Sequence, residues 1–514
     1  MRKLFAVPVL LCAIIAAASE TSGVGSKAAI RSGPMLGYAD LTEASVWLQT
    51  TAAAEVAVRY WPEGKHAASR TTDVLRADEK SDHTALFVIP NLEPGARYGY
   101  EVLIGGTPAA FPAGGKSGVF NTQAFWQWRG NPPDFTVAFG SCYYANEPKM
   151  DRPGKPYGSD PKIFRTIESL KPDVMLWLGD NIYYREPDFG SVTAMKRRNA
   201  LGREEPALQP LLGNAHHYAI WDDHDFGPND SMWINRYWRE SFDIFKSYWA
   251  NPSYGAHGVE GVFGSFSWGD VDFFLLDDRM YRTPERVPET ADKEMLGREQ
   301  LRWLKHSLWY SRAPFKVIVN GSQVLNSNAR DECFAHYARE QKELLDWIVQ
   351  NRIRGVVFLS GDRHETELIR VTPDGFYPLY DFTSSPLTAG LTNPMPKEEE
   401  NNPLRVPGTL VNDMHSFGLL RFSGTCNERM LEMQTVDREG KRRWTQTVRG
   451  SDLVPPPPPG VTPGPRSRAL VVRVPQGAVN ALSKAGNRKS EIETQETDYR
   501  LPIKKPAPRI PART

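Results

Sequence analysis

Val174-Met175-Leu176-Trp177-Leu178-Gly179-Asp180-Asn181-Ile182-Tyr183 is the stretch on which the fold turns. An apolar strand is ended by glycine, and an acid follows at once. The pattern recurs. Phe135-Thr136-Val137-Ala138-Phe139 runs into Gly140-Ser141-Cys142. His217-Tyr218-Ala219-Ile220-Trp221 runs into Asp222-Asp223-His224-Asp225. Val356-Val357-Phe358-Leu359 runs into Ser360-Gly361-Asp362-Arg363-His364. Helical stretches lie between, such as Glu340 to Gln350, with Leu344, Leu345, Trp347 and Ile348 facing inward. Strands alternating with helices predict an α/β domain over residues 134–450. In such folds ligands gather at the carboxyl ends of strands.

Those ends carry Cys142, Asp180, Tyr183, Asp223, His224, Asp362 and His364. The set mixes thiolate, phenolate, carboxylate and imidazole. Carboxylates favour hard cations, whereas thiolate and imidazole favour transition metals. Taken singly, a Gly-Asp after a strand is often a turn, and Cys142 would be a small buried residue. Asp222-Asp223-His224-Asp225 is harder to dismiss, because crowded acids are costly unless a cation or partner neutralises them. Together these residues predict a mixed metal cluster. Two neighbouring segments add candidates. Arg279, in Leu275-Leu276-Asp277-Asp278-Arg279, could bind substrate phosphate or hold a carboxylate in place. Asn320 and Gln323 follow Lys316-Val317-Ile318-Val319 and are candidates to line the site. Trp233, Trp238 and Trp249 read as core rather than as a substrate platform.

Upstream, residues 28–125 show period-2 patterning. Strands are expected at Ser45–Thr50, Glu55–Trp61, Ala85–Ile89 and Tyr98–Ile104, with turns at Pro62-Glu63-Gly64 and Gly105-Gly106. Short strands at this spacing predict an all-β, fibronectin III/Ig-like sandwich. Asn91 to Tyr100 resembles the fibronectin III corner, in which a tyrosine at a strand start bonds back across a turn. No catalytic cluster falls there, so the region reads as a packing or substrate-shaping domain.

Residues 1–18 read as a Sec-type signal peptide. Met1-Arg2-Lys3 is basic, Leu4 to Ala18 is apolar, and Ala16-Ala17-Ala18 offers small residues for cleavage. The apolar run has 15 residues, short of the roughly 20 that span a bilayer. Leu10-Leu11 before Cys12 argue against lipidation. No transmembrane segment is expected in the mature protein. Residues 451–514 read as a basic, proline-rich, mobile tail, with five prolines at 455–459 and 12 of the 41 prolines between 455 and 514. From 455 onward there are 11 Lys and Arg against 4 Asp and Glu. The chain's net charge of +1 is therefore a cancellation, +7 in the tail against −6 in the body. The tail suits contact with a polyanionic surface, but no nucleic-acid-binding module is evident. If Cys142 binds metal, Cys333 and Cys426 are free to pair in an oxidising compartment.

As an ordered set, Phe139-Gly140-Ser141-Cys142, Gly179-Asp180-Asn181-Ile182-Tyr183, Trp221-Asp222-Asp223-His224-Asp225 and Ser360-Gly361-Asp362-Arg363-His364 resemble the PhoD-like alkaline phosphatases of the metallophosphatase superfamily. The resemblance covers roughly residues 30–450. It implies a four-layer α/β/β/α metallophosphatase domain behind an N-terminal β domain. It also implies Fe3+ and Ca2+ as cofactors, phosphate monoesters and often diesters as substrates, and export to the periplasm or medium by a bacterium. Carried over by motif, Asp180 would bridge the metals. Cys142 and Tyr183 would bind iron, with His364 on the same side. Asp223 and Asp362 would serve the harder metal. His224 would contact phosphate and protonate the leaving group. Asp222 is left open as a ligand or a neighbour of ligands, and Asn229 resembles the family's amide near calcium. The family usually travels by the twin-arginine route, and Arg2-Lys3 departs from that pattern.

The expected reaction is hydrolysis of phosphate esters by a metal-activated hydroxide without a phosphoenzyme. Two metals about 3.5–4 Å apart can hold both the attacking and leaving oxygens. The alternatives are phosphodiesterase or phospholipase D-like activity at the same site, or a non-catalytic metal-binding surface protein. A binding protein would need the ligands but not a well-placed His224.

Overall fold

Val174–Leu178 is buried along its whole length, which its unbroken apolar sequence demands. It lies between the parallel strands Phe135–Gly140 and His216–Ile220. These relations come from a computed structural model that describes residues 28–457. The expected signal peptide, Cys12 and the tail beyond 457 lie outside the described residues.

Two mixed sheets build the body. The first has nine strands in the order Arg442–Arg449, Met430–Asp437, Ser416–Ser423, Phe135–Gly140, Val174–Leu178, His216–Ile220, Ile30–Ala39, Ala44–Thr50 and Thr84–Ile89. The second has a parallel core of Val271–Leu275, Phe315–Val319, Val356–Ser360 and Leu379–Thr383. Antiparallel Gly264–Trp268 and Glu367–Val371 close its edges. The sheets meet through aromatic side chains. Phe139 stands edge-on to Phe382 at 4.8 Å between centroids, and Tyr218 stacks on Phe266 at 3.6 Å. Helices cover the outer sides, with Phe164 of Ile163–Ser169 against Trp177 and Trp303 of Arg298–Tyr310 against Phe274.

The N-terminal region is all-β, and its four expected strands are present as Ala44–Thr50, Ala54–Pro62, Thr84–Ile89 and Arg97–Ile104. Tyr98 Oη accepts the Glu93 N–H at 2.8 Å, a bond back across the turn. A fifth long strand, Ile30–Ala39, had no sequence signal. Gly33, Pro34 and Gly37 interrupt its pattern, and its pairing with Ala44–Thr50 contains register shifts. This strand runs parallel to His216–Ile220 through the Leu36–His216 pair. One face of the N-terminal region is thus continuous with the larger sheet.

The body also extends past the expected boundary at 451. Leu453 is fully buried, its carbonyl accepts the Gly355 N–H at 2.9 Å, and Arg352 donates to the Pro455 carbonyl at 3.2 Å. The helix expected from Glu340 is Ala338–Gln350. Its Glu340 carboxylate is buried and accepts N–H groups of Leu296 and Gly297 at 3.2 and 3.1 Å. Trp249 is core, whereas Trp233 is 53% exposed. Cys333 and Cys426 do not pair: Cys333 is buried, Cys426 is exposed and both are free. Among the described residues, no helix is long and apolar enough to cross a membrane.

Gly418 lies opposite Phe139 in register. A Cβ there would come within 2.1 Å of the Phe139 ring. Gly418→Ala should cost about 1–3 kcal/mol by overpacking, read as a lowered denaturation midpoint. Phe139→Leu in the same chain should recover part of that loss. A Gly418→Ala protein as stable as the parent would refute the close approach.

Candidate functional site

The carboxyl ends of both parallel cores converge. The Ser141 N–H donates to the Ser384 carbonyl at 3.2 Å between the cores, while within each core the Tyr143 N–H donates to the Asp180 carbonyl at 2.8 Å and the Gly361 N–H to the Gly321 carbonyl at 2.7 Å. Several site residues turn sharply as their strands end. Cys142, Asp180, Asp362 and His364 have φ of 60, 51, 65 and 56°. Side-chain-bearing residues seldom adopt this left-handed region, and where they do the surroundings must hold them there. Gly179, with φ of 94°, makes the turn before Asp180, and a Cβ on it would lie 2.5 Å from Asp222 Cβ.

Three groups of donors overlap. Cys142, Asp180 and His364 bring one ligand atom each within 4.8 Å of one another, as do Asp180, Asp223 and His224, and as do Asp222, Asp223 and Asp362. Asp180 is shared by the first two groups and Asp223 by the last two. Tyr183 completes the first: its hydroxyl lies 3.0 Å from Asp180 Oδ2 and 3.1 Å from His364 Nε2. Cys142 Sγ lies 3.5 Å from Asp180 Oδ2 and accepts the Ser385 hydroxyl at 3.1 Å. Like Asp362 and His364, His224 is partly exposed. Its ring packs on Tyr183 at 4.1 Å, its Nε2 is 3.9 Å from Asp223 Oδ2, and its backbone N–H donates to Asp180 Oδ1 at 3.2 Å.

The electrostatics are those of a cation site. Burial, then the neighbouring acids, pushes the Asp180 and Asp362 carboxyls well above the usual range. Burial pushes Asp222 up as well, despite Arg279. Burial and nearby carboxylates also raise the Cys142 thiol and the Tyr183 phenol. Burial draws His364 down to about 4, leaving a neutral imidazole suited to ligation. Asp223 is the exception. Burial raises it, but His224, Arg279 and the Asp230 N–H outweigh burial and leave it below the usual range. Asp222 Oδ2, Asp362 Oδ2 and Asn320 Oδ1 are buried without a hydrogen-bond partner. Orphaned carboxylate oxygens facing shared neighbours fit a bound cation, which would satisfy them and allow the acids to ionise.

Other candidates are placed differently. Arg279 is fully buried. It donates to Asp222 Oδ1 through Nε at 2.6 Å and to Glu332 Oε1 through Nη1 at 2.6 Å. It therefore holds carboxylates, and substrate does not reach it. Gln323 turns away, its amide donating to Glu367 and Thr383 at 2.7 and 2.8 Å. Asn320 is buried and donates to the Ser322 carbonyl at 2.7 Å. Asn229 is exposed and donates to Asp230 Oδ1 at 2.8 Å. Asp225 accepts the N–H groups of Asn181 and Asp222, a structural task that explains one acid of the crowded tetrad.

Several residues had no signal of their own. Glu332 anchors Arg279 and joins Asp223 and Asp230 in a fourth donor group. Tyr157 places its hydroxyl 3.2 Å from His364 Nδ1. Both come from irregular loops, where no strand-end pattern marks them. A cavity of about 580 Å3 opens beside His224, Tyr183 and Asn229.

Residues 141–430 match the family model described as PhoD-like phosphatase. Residues 27–122 match a model for a domain of unknown function. No curated protein matches the chain. A solved structure titled as PhoD is 17% identical, with a TM-score of 0.63 over 80% of this chain and 91% of that one. The purple acid phosphatase PPD1 from yellow lupin (Lupinus luteus) seeds is 11% identical, with a TM-score of 0.57 over 81% of this chain and 74% of that one. These likenesses identify a metallophosphatase-like fold.

Replacing Arg279 with Met would leave Asp222 and Glu332 buried and unpaired. Removing one partner of a buried pair costs about 3–5 kcal/mol. Thermal unfolding of Arg279→Met should show a loss of that order, and unchanged stability would contradict the caged arrangement.

Proposed function

We propose the reaction and its residue roles for a chain that belongs to the PhoD-like phosphatase family and is a phosphoric ester hydrolase of the metal-dependent class. The proposed substrates are phosphate monoesters, with diesters as a second class at the same site. Export through residues 1–18 is part of the same reading. The N-terminal all-β region is read as a fibronectin III-like sandwich, supported by the Tyr98 bond to the Glu93 backbone.

The supporting observation is the trio of donor groups that share Asp180 and Asp223, with Asp222 Oδ2 and Asp362 Oδ2 unpartnered. Cys142, Tyr183 and His364 supply soft or strongly anionic donors and would hold Fe3+ together with Asp180. Asp223 and Asp362, with Asp222 beside them, would hold the harder Ca2+. When bound, the cations supply Lewis-acid activation of water and neutralise phosphate charge. The protein does the rest. Arg279 fixes the Asp222 carboxylate, and Tyr157 orients the His364 ring through Nδ1. Partner groups of this kind fix which ring nitrogen faces a metal. His224, which lines the cavity, would deliver a proton to the leaving oxygen through Nε2. Tyr183 packs against its ring. Water attacks opposite the leaving group, so no phosphoenzyme forms.

Elemental analysis of native protein should find iron and calcium, and Asp180→Asn should lose both metals and turnover. Retained activity in that variant would remove the bridging role. His224→Gln should keep its metals while kcat falls about 10²–10⁴-fold, the usual worth of a general acid. Tyr157→Phe keeps the ring but removes the hydroxyl. It should weaken metal retention during dialysis against chelator by about 10- to 100-fold, while KM stays close to the parent value. Metal retention equal to the parent would assign Tyr157 to packing alone.

A further inference from the structure

The cavity beside His224 is far larger than a phosphate group requires. At about 580 Å3 it falls within the range of sites that hold whole small molecules. Two features of its lining describe what it holds.

The first is a rigid aromatic wall. Tyr157 is 46% exposed, yet it is not loose. Its hydroxyl is engaged with His364 Nδ1 at 3.2 Å, and its ring stands edge-on to Tyr144 at 4.9 Å. It also lies against Gly390, where a Cβ would come within 2.7 Å of the ring. A ring already fixed in place stacks on a ligand with little further loss of conformational freedom. Half-buried Phe189 adds a second apolar surface to the same cavity.

The second feature is charge. The acids of the lining are already engaged: Asp151 by Arg185 at 2.9 Å, and Glu186 by Arg152 at 3.6 Å. Lys155 lines the cavity, is exposed, and has no ion-pair partner among the described residues. The spare charge of the cavity is therefore positive, on a body whose net charge is negative.

Resting on the phosphatase reading, we propose that this cavity is the leaving-group pocket. It selects an alcohol that carries an aromatic base and a second phosphate, the chemistry of a nucleotide. The base lies on Tyr157 and Phe189, the second phosphate meets Lys155, and the scissile ester oxygen faces His224. A small polyol would leave both features unused.

Three esters of alkyl alcohols separate these contributions: adenosine 3′,5′-bisphosphate, adenosine 5′-monophosphate and glycerol 3-phosphate. With the full-length, metal-loaded protein, kcat/KM should fall in that order, by about tenfold for the loss of base stacking. Lys155→Ala should lower kcat/KM for the bisphosphate several-fold more than for glycerol phosphate. Phe189→Ala should lower both adenosine esters more than glycerol phosphate. Equal values for the three esters, or equal losses in the variants, would overturn the proposal. Calorimetric binding of the same compounds decides the pocket separately from turnover. Tighter binding of the bisphosphate than of glycerol phosphate without hydrolysis would uphold the pocket and remove the phosphatase reading. Equal binding would remove the pocket.

Discussion

Burying several carboxylates in one place is the constraint around which this molecule is built. Asp180, Asp222, Asp223 and Asp278 are buried, with Asp362 partly buried beside them. Like charges held together in a low-dielectric interior repel, and burial alone already disfavours ionisation. The fold answers on one side with Arg279, placed between Asp222, Asp278 and Glu332 and supported by Arg282 against Glu332. On the other side Asp222 Oδ2 and Asp362 Oδ2 are left without a hydrogen-bond partner. The asymmetry divides the cluster into a part that is satisfied within the protein and a part open to a bound ion.

Fixing such a cluster requires more than proximity. Four of its residues sit in left-handed backbone immediately beyond strands. Strain of this kind persists only where the surroundings over-determine it. Here the surroundings are two parallel cores whose carboxyl edges are cross-bonded through Ser141, Ser384 and Leu387. Arg363, between Asp362 and His364, is buried and donates to Glu399 at 2.7 Å. Glu399 and Glu367 are in turn held by Arg405. This separate group of acids, Glu365, Glu367 and Glu399, has an arginine within 4.0 Å of each member. It anchors the loop that presents Asp362 and His364.

The sequence made the strand ends legible because each follows one rule, an apolar run that stops at polar residues, with glycine at or beside the break in three of the four. That rule locates Cys142, Asp180, Asp223, Asp362 and His364. It says nothing about direction. Gln323 also follows a strand, yet its amide finds Glu367 and Thr383 on the far side. Arg279 allowed two roles until its complete burial left one. Tyr157 and Glu332 reach the site from loops by tertiary packing, which leaves no periodic trace. Ile30–Ala39 was hidden for the opposite reason, because Gly33, Pro34 and Gly37 make a real strand resemble a turn.

That hidden strand changes the meaning of the N-terminal region. Composition and the lack of catalytic residues suggest an accessory sandwich. Its edge, however, pairs with His216–Ile220, the strand that delivers Asp222, Asp223 and His224. Gly37 accepts a bond from His216 Nδ1 at 2.8 Å, and Tyr218 Oη accepts the Ala39 N–H at 3.2 Å. Trp47 and Gln49 bond to Ser247 and Tyr248 at the end of helix Trp238–Tyr248. The helix in turn holds Phe226 through Ser241 at 2.8 Å. Both elements flanking the Asp-Asp-His segment therefore lean on residues 30–50. The N-terminal region is thus an extension of the sheet that carries the Asp-Asp-His segment, not a separate module beside it.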